Sequence, residues 1–264
     1  RLREAANKDG LEVCYMENPN LRTGVCGVLI TDHNRSLCTD LLAANTYDVC
    51  HVKQPENWAH IEKAKYYYVT GYFYTVSPET IELVAKHALE HKKTFTANLS
   101  APFVPVAYTD ALRRTIPYID ILFGNETEAL AFAQAFDLGT TNLEKIAHAA
   151  ANMPKHDSSR PRIVVFTHGN NPTIVAIQGE DVLKEYPVTY IPNEEIADTN
   201  GAGDAFVAGF LSQLLLERPL TDCIEAGNWL AGKVIREVGP TYPAGKLEFV
   251  PSQSIAPVLK KIDV

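Results

Sequence analysis

The sequence predicts an α/β fold built on a mainly parallel sheet flanked by helices, and three observations carry that expectation. From Tyr66 onward, short apolar runs alternate with stretches of helical period, the pattern that βαβ units leave in a sequence. The run Asp198-Thr199-Asn200-Gly201-Ala202-Gly203-Asp204-Ala205-Phe206 sets two glycines and an acid directly ahead of a long apolar helical pattern. A chain of 264 residues with 46% hydrophobic content is long enough to bury a large core.

The elements follow in order. Apolar runs at 25–30 and 36–39 flank the polar turn Thr31-Asp32-His33-Asn34 and read as a β-hairpin of a small separate sheet, able to act as a lid. Three strand–helix pairs come next, 66–70 with 79–91, 94–98 with 106–115, and 119–123 with 126–136. Further strands are expected at 163–167, 173–177 and 185–190. Phe206, Phe210 and Leu214 then recur every fourth residue beside Val207, Leu211 and Leu215 until Arg218-Pro219 stops the helix, and a last long helix covers 221–236. Open α/β sheets bind ligands beyond the carboxyl ends of their strands. Chemistry is therefore expected at Gly71-Tyr72-Phe73, Asn98-Leu99-Ser100, Gly124-Asn125-Glu126-Thr127-Glu128, Thr167-His168-Gly169 and the glycine run, converging on one cleft.

The glycine run forms a helix N-terminus, where the first backbone N–H groups lack intrahelical partners and the helix dipole favours an anion such as phosphate. Glycine lets a ligand approach the backbone closely. The run is neither a Walker A loop, which needs Gly-Lys-Ser/Thr, nor a dinucleotide fingerprint, which needs a third glycine where Phe206 stands. Asp204 would repel a stored phosphate, but as a base it would take the proton of a hydroxyl lying between it and an arriving phosphoryl group. The alternative is a first-turn acid that only complements the dipole.

Other motifs also admit two readings. Asn125-x-x-Glu128 fits a capping box, or else Glu128 orients waters around a phosphate-bound Mg²⁺. His87-Ala88-Leu89-Glu90-His91 matches an inverted zinc-protease pattern, yet the apolar stripe Ile81, Val84, Ala85, Ala88 and Leu89 leaves His87, Glu90 and His91 off the buried face, so a solvated face is expected instead. Tyr72 and Phe73 are placed either to stack on a flat base or to pack in the core. Arg35 is either a planar fork reaching phosphates or an exposed turn residue.

Composition narrows the class. A net charge of −8 without a basic cluster argues against a nucleic-acid partner. No apolar run approaches membrane-spanning length, and Arg1-Leu2-Arg3-Glu4-Ala5-Ala6 has no signal-peptide pattern. Five cysteines without a Cys-x-x-Cys pair suit a reducing cytosol.

With these residues assembled, the chain resembles the ribokinase-like carbohydrate and nucleoside kinases, through DTNGAGDAFVAGFLSQL, PYIDILFGNETEA, NLSAPF, GYFYTVSPET and NRSL, spread over nearly its whole length. The resemblance implies a Rossmann-like ribokinase fold with a small β lid. It implies ATP-dependent phosphorylation of the 5′-hydroxyl of adenosine, a purine-salvage reaction giving AMP and ADP, with Mg²⁺ and K⁺ or another monovalent cation near the anion hole. Asp204 would be the base on that hydroxyl, with the backbone of Asn200, Gly201, Ala202 and Gly203 as the anion hole. Asn125 and Glu128 would handle phosphate and Mg²⁺, Glu128 through water. Phe73 would stack on adenine beside Tyr72, with Cys26 and Leu37 lining the same pocket. Thr167 and Gly169 would lie near the ATP phosphates, Asn228 and Ala231 at the ATP base, and Arg35 would reach the phosphates from the lid.

Members of that family begin with a further segment carrying the first sheet strand, an aspartate for the ribose hydroxyls and a Gly-Gly turn, none of which is matched here. Residues 1–18 are accordingly expected to be the remainder of an incomplete N-terminal α/β portion, 19–50 part of the lid, and 51–264 the large nucleotide-binding and catalytic domain. The expected partners are small molecules alone, with neither nucleic acid nor membrane, for a monomer in the cytoplasm and also the nucleus. Two other readings stay open: a sugar kinase of the same fold acting on ribose or fructose, against which the aromatic pair Tyr72-Phe73 speaks, and a nucleotide-binding regulator without catalysis, against which Asp204 and both glycines speak. A nicotinamide oxidoreductase is excluded by the missing dinucleotide fingerprint.

Overall fold

The strands that alternate with helices in the sequence assemble into one seven-stranded sheet, with a separate hairpin before it. The computed structural model describes residues 1–31, 34–239, 241–242, 247–252 and 255–262, the side chains of Ile30, Asn34 and Arg35 excepted. The hairpin is β1 (Thr23–Thr31) and β2 (Asn34–Leu42), antiparallel, with Val28 opposite Leu37 and Cys26 opposite Thr39. Asp32 and His33 of the expected turn lie outside the described residues. Helices α1 (Leu2–Lys8), α2 (Val49–Val52) and α3 (Pro55–Lys63) precede the main sheet.

That sheet runs β3 (Tyr66–Val69), β4 (Thr94–Asn98), β5 (Ile121–Asn125), β6 (Ile163–His168), β7 (Asn171–Ile177), β8 (Val182–Tyr186) and β9 (Val258–Lys261), in sequence order. Strands β3 to β6 are parallel and β7 to β9 continue antiparallel. The parallel crossovers carry α4 (Pro78–Glu90), then α5 (Phe103–Ala107) with α6 (Thr109–Thr115), then α7 (Glu126–Ala135) with α8 (Leu143–Ala151). Helices α9 (Ala202–Leu214) and α10 (Leu220–Val234) follow β8. No helix among the described residues is long and apolar enough to cross a membrane.

Because strand side chains alternate between faces, each central strand feeds two cores. Leu122, Val164 and Phe166 join Phe95, Phe132 and Ile146 on one face, while Phe123 and Val165 join Phe206, Phe210 and Ile224 on the other. On that second face α9 and α10 approach so closely that a Cβ on Gly209 would stand 2.3 Å from the Ala226 carbonyl oxygen. Glycine is required there, and the contact fixes the helix that starts at the glycine run. Arg162 is wholly buried and donates to the carbonyls of Ile116 (2.7 Å), Ile119 (3.1 Å), Ala150 (3.1 Å), Ala151 (3.3 Å), Met153 (2.8 Å) and Pro154 (3.0 Å), which satisfies the carbonyl end of α8. Burial lowers its pKa to about 10.

Three expectations need correction. The helix read at 106–115 is two pieces, α5 and α6, because Tyr108 leaves helical geometry (φ −119°, ψ 29°) and the Thr109 hydroxyl donates back to the Pro105 carbonyl at 2.7 Å. The strand read at 185–190 ends at Tyr186, because Pro187 lacks an N–H to continue the ladder. His87 is not on a solvated face: α3, which no strong periodicity announced, lays Trp58 edge-on against it with ring centres 5.1 Å apart, and His87 is 7% exposed. Among the described residues no group of three or more His, Cys, Asp or Glu is placed to hold a metal ion.

Candidate active site

The glycine run sits at the mouth of α9. Gly201 is its N-cap in the left-handed region (φ +79°), a conformation that favours glycine, and the helix opens with the Ala205 N–H donating to the Gly201 carbonyl at 2.9 Å. Gly203 would carry a Cβ into open space, nothing lying within 4 Å. Asp204 is exposed in the first turn. The loop is held from behind by Asp198, which is 1% exposed: Oδ1 accepts the Asn200 N–H at 2.9 Å and Oδ2 the Gly239 N–H at 3.1 Å, so the approach to α9 is tied to the segment leaving α10. Sequence reasoning missed Asp198, whose spacing before Asn200 is an Asx-turn pattern.

Across from the loop, Asn125 ends β5 and caps α7 with a complete capping box. The Asn125 backbone N–H donates to Glu128 Oε2 at 3.0 Å, the Asn125 Nδ2 donates to Glu128 Oε1 at 2.9 Å, and the Glu128 N–H donates to Asn125 Oδ1 at 2.9 Å. The cap is real, yet the carboxyl also faces the cleft. Burial pushes its pKa up to about 7, the charges of Glu126 and Asp204 push the same way, and the N–H groups of Asn125 and Ser100 oppose them.

These groups line a single cleft of about 710 Å³. The strand order sets Tyr72, Asn98 and Ser100, after β3 and β4, toward one end of this lining, Asn125, Glu128, Thr167 and Gly169 of the β5 and β6 ends in the middle, and Asn228, bonded to Thr173 of β7, with Trp229 and Ala231 toward the other; Leu37 and the stretch Asn200 to Asp204 complete it. Gly71 positions the first end, since a Cβ there would lie 2.3 Å from the Leu99 carbonyl oxygen, and its N–H donates to Ser100 Oγ at 2.8 Å. Thr167 comes from β6, and Gly169 follows with φ +56°.

Most of the residues named from the sequence thus come together, and two, Phe73 and Cys26, do not line the cleft as expected. Phe73 packs on the larger core, its ring edge-on to Tyr47 at 5.1 Å between centres, while Tyr72 beside it is 48% exposed and lines the cleft. Cys26 lies exposed on β1, where the Thr39 hydroxyl donates to its sulfur at 3.3 Å. Arg35 pairs with Ile30 in the hairpin backbone, and its side chain lies outside the described residues. Sequence reasoning missed Tyr68, whose hydroxyl accepts from Asn98 Nδ2 at 3.4 Å. Burial pushes that phenol up to about 12, and the nearby charges of Asp204 and Glu128 add to the effect. In a run of three tyrosines nothing separates this one from its neighbours.

The cleft combines an anion-binding helix start, an exposed carboxylate beside it, and a buried carboxyl that oxygen-liganded cations suit. Adenosine kinase 2 of Arabidopsis thaliana is 46% identical over 244 residues, covering 91% of this chain and 70% of that protein. Adenosine kinase of Saccharomyces cerevisiae is 42% identical over 251 residues, covering 94% of this chain and 72% of that protein. The crystal structure of Anopheles gambiae adenosine kinase in complex with P1,P4-di(adenosine-5) tetraphosphate superposes with a TM-score of 0.91 at 44% identity, covering 94% of this chain and 72% of that one. The model of the pfkB family of carbohydrate kinases matches residues 1–246, and the chain belongs to that family.

Proposed function

We propose that this chain transfers the γ-phosphoryl group of ATP to the 5′-hydroxyl of adenosine, giving AMP and ADP. The observation that carries the reading is the continuous cleft lined by Asp204 and the glycine loop, with Tyr72 toward one end and Asn228 and Ala231 toward the other. Adenosine occupies the first end and the donor's base the second, so the hydroxyl and the γ-phosphorus meet at the mouth of α9. Tyr72 offers the aromatic surface at the adenosine end, and the hairpin that carries Cys26 and Leu37 closes as a lid that brings Arg35 over the phosphates.

The chain's own groups divide the reaction among them. Asp204 accepts the hydroxyl proton while the 5′-oxygen forms its bond to phosphorus and the bond to the ADP oxygen breaks. The N–H groups of Gly201 and Gly203 at the start of α9 hold the charge of the moving phosphoryl group, while those of Asn200 and Ala202, given to Asp198 Oδ1 and the Thr199 carbonyl, keep the loop in shape. Mg²⁺ fits the site, because it keeps several waters and needs only one or two carboxylates alongside phosphate oxygens; Glu128 and Asn125 would hold that water shell, and the ion when bound would supply charge neutralisation. A monovalent cation such as K⁺ near the anion hole completes the set. The enzyme acts as a monomer in the cytoplasm, in purine salvage, a compartment supported by the exposed free thiols of Cys14, Cys26, Cys38 and Cys50.

The test is a transfer assay with adenosine, inosine, ribose and fructose side by side. Adenosine is expected to be the best acceptor, and Asp204→Asn to lower turnover by about 10²–10⁴ with ATP affinity little changed. Faster phosphorylation of ribose or fructose than of adenosine would overturn the substrate; near-parent turnover of the variant would overturn the base.

A further inference from the structure

Asn228 stands on α10 at the end of the cleft assigned above to the donor's base, and its carboxamide is not free to choose which end it presents. The Thr173 hydroxyl donates to Asn228 Oδ1 at 3.0 Å. Thr173 itself is wholly buried and sits in β7, paired with Tyr186 of β8, so the hydroxyl is held by two strands. A carboxamide whose oxygen is engaged toward the protein has its Nδ2 on the other side. Reversing it would set an NH₂ group against the hydroxyl and oblige a buried O–H to find another acceptor.

We propose that Thr173 is a positioning residue for the phosphoryl donor. It locks the Asn228 carboxamide so that the cleft offers N–H donors, and the site thereby selects a nucleoside triphosphate whose base presents an acceptor nitrogen, as purines do. The inference rests on the proposed donor end of the cleft and deepens it: Thr173 borders the same cleft with its hydroxyl given to Asn228, and the double variant separates an effect through Asn228 from direct contact with the donor. One turn on along α10, Ala231 and Gly232 line the same cleft and keep side-chain bulk low beside Asn228.

The experiment measures Mg·ATP binding by calorimetry in the absence of acceptor, together with steady-state kinetics, for the parent and for Thr173→Val, Thr173→Ser, Asn228→Ala and the Thr173→Val/Asn228→Ala pair. Valine keeps the shape and the strand preference but removes the hydroxyl. Thr173→Val is expected to raise the Kd and KM for ATP about three- to tenfold, the range of one modest hydrogen bond, with kcat and the KM for adenosine within about twofold of the parent. Thr173→Ser is expected to restore the parent values, and the pair to bind ATP no more weakly than Asn228→Ala alone. ATP affinity unchanged in Thr173→Val, additive losses in the pair, or a fall in kcat and thermal stability together with both KM values would each overturn the proposal. A parent protein that binds no ATP would instead overturn the reading of the cleft on which it rests.

Discussion

Glu128→Gln, followed by urea unfolding in metal-free buffer from about pH 4.5 to about pH 8.5, isolates the energetic effect of a charged carboxylate in the wall of the cleft. Glu128 is 6% exposed, and its pKa rises from 4.5 to about 7 in the fold. An acid with a raised folded pKa holds its proton more tightly when folded, so folding is favoured most below 4.5 and that advantage is lost as pH rises from 4.5 through about 7. At about 1.36 kcal/mol per pH unit the ionised side chain weighs against the fold by about 3 kcal/mol at alkaline pH. Glutamine escapes this, being neutral throughout. It cannot, however, accept from both the backbone N–H and the Nδ2 of Asn125, since one of its two ends is itself a donor, a loss of about 1 kcal/mol. The variant is therefore expected to be about 1 kcal/mol less stable than the parent near pH 4.5 and about 2 kcal/mol more stable near pH 8.5, with a change of sign between. A stability difference that stays constant over this range would refute the claim that burial holds a proton on Glu128.

Three other outcomes follow from the packing. Burial depresses the pKa of His87, the charges of His91 and Lys93 add to the effect, and Glu62 and Glu90 oppose it. A base with a lowered folded pKa contributes stability that is present above 6.5 and lost as pH falls below it, so His87→Leu is expected to lose less stability than the parent between pH 7 and 5; parallel losses in urea unfolding would remove His87 from the account. Arg162→Met removes a donor from six carbonyls, four of them on the buried residues Ile116, Ile119, Ala150 and Ala151, and is expected to lower unfolding free energy by about 3–5 kcal/mol, a value below about 1 kcal/mol showing that water satisfies them instead. Gly71→Ala forces a Cβ onto the Leu99 carbonyl and is expected to cost about 1–3 kcal/mol of stability and to raise the KM for adenosine through the displaced Tyr72 and Asn98; an unchanged KM would separate this packing point from the acceptor end.

What the sequence made legible was local and periodic. The glycine run, the strand ends at Asn98, Asn125 and Thr167, and the helices of large apolar residues all announce themselves through spacing. Helix α8 is absent from the sequence reading although Ile146, Ala147, Ala150 and Ala151 recur at helical spacing on its buried face. Strand β9 is four exposed residues paired only at one edge, too short for a pattern. The burial of His87 depends on α3 covering it, and the bond from Thr173 to Asn228 on the packing of α10 over β7. Both are products of tertiary register, which no single-segment periodicity encodes. Tyr72 and Phe73 show the limit inside the site itself: adjacent aromatics after a short strand are equivalent in sequence, and only the turn at Gly71 decides that one faces the cleft and the other packs against Tyr47.

The two carboxyl groups of the cleft differ in the property that decides which of them accepts a proton from substrate. Both oxygens of Glu128 are already engaged by Asn125, and the side chain is buried in a capping box that closes the start of α7. Such a group is held in place, able to orient a hydrated cation but poorly placed to follow a hydroxyl as its bond to phosphorus forms. Asp204 is exposed in the first turn of a helix fixed at both levels, by Asp198 behind its loop and by the contact of Gly209 with α10 along its length. A general base must present an oxygen within hydrogen-bond reach of the attacking hydroxyl, and it needs a rigid mount rather than a buried one. The charge of Asp204 is one of the causes that raise the pKa of Glu128, so a cation held near both carboxyls would favour the ionised form of Glu128. On this arrangement Asp204 moves the proton in the proposed transfer and Glu128 sets the charge environment in which it moves.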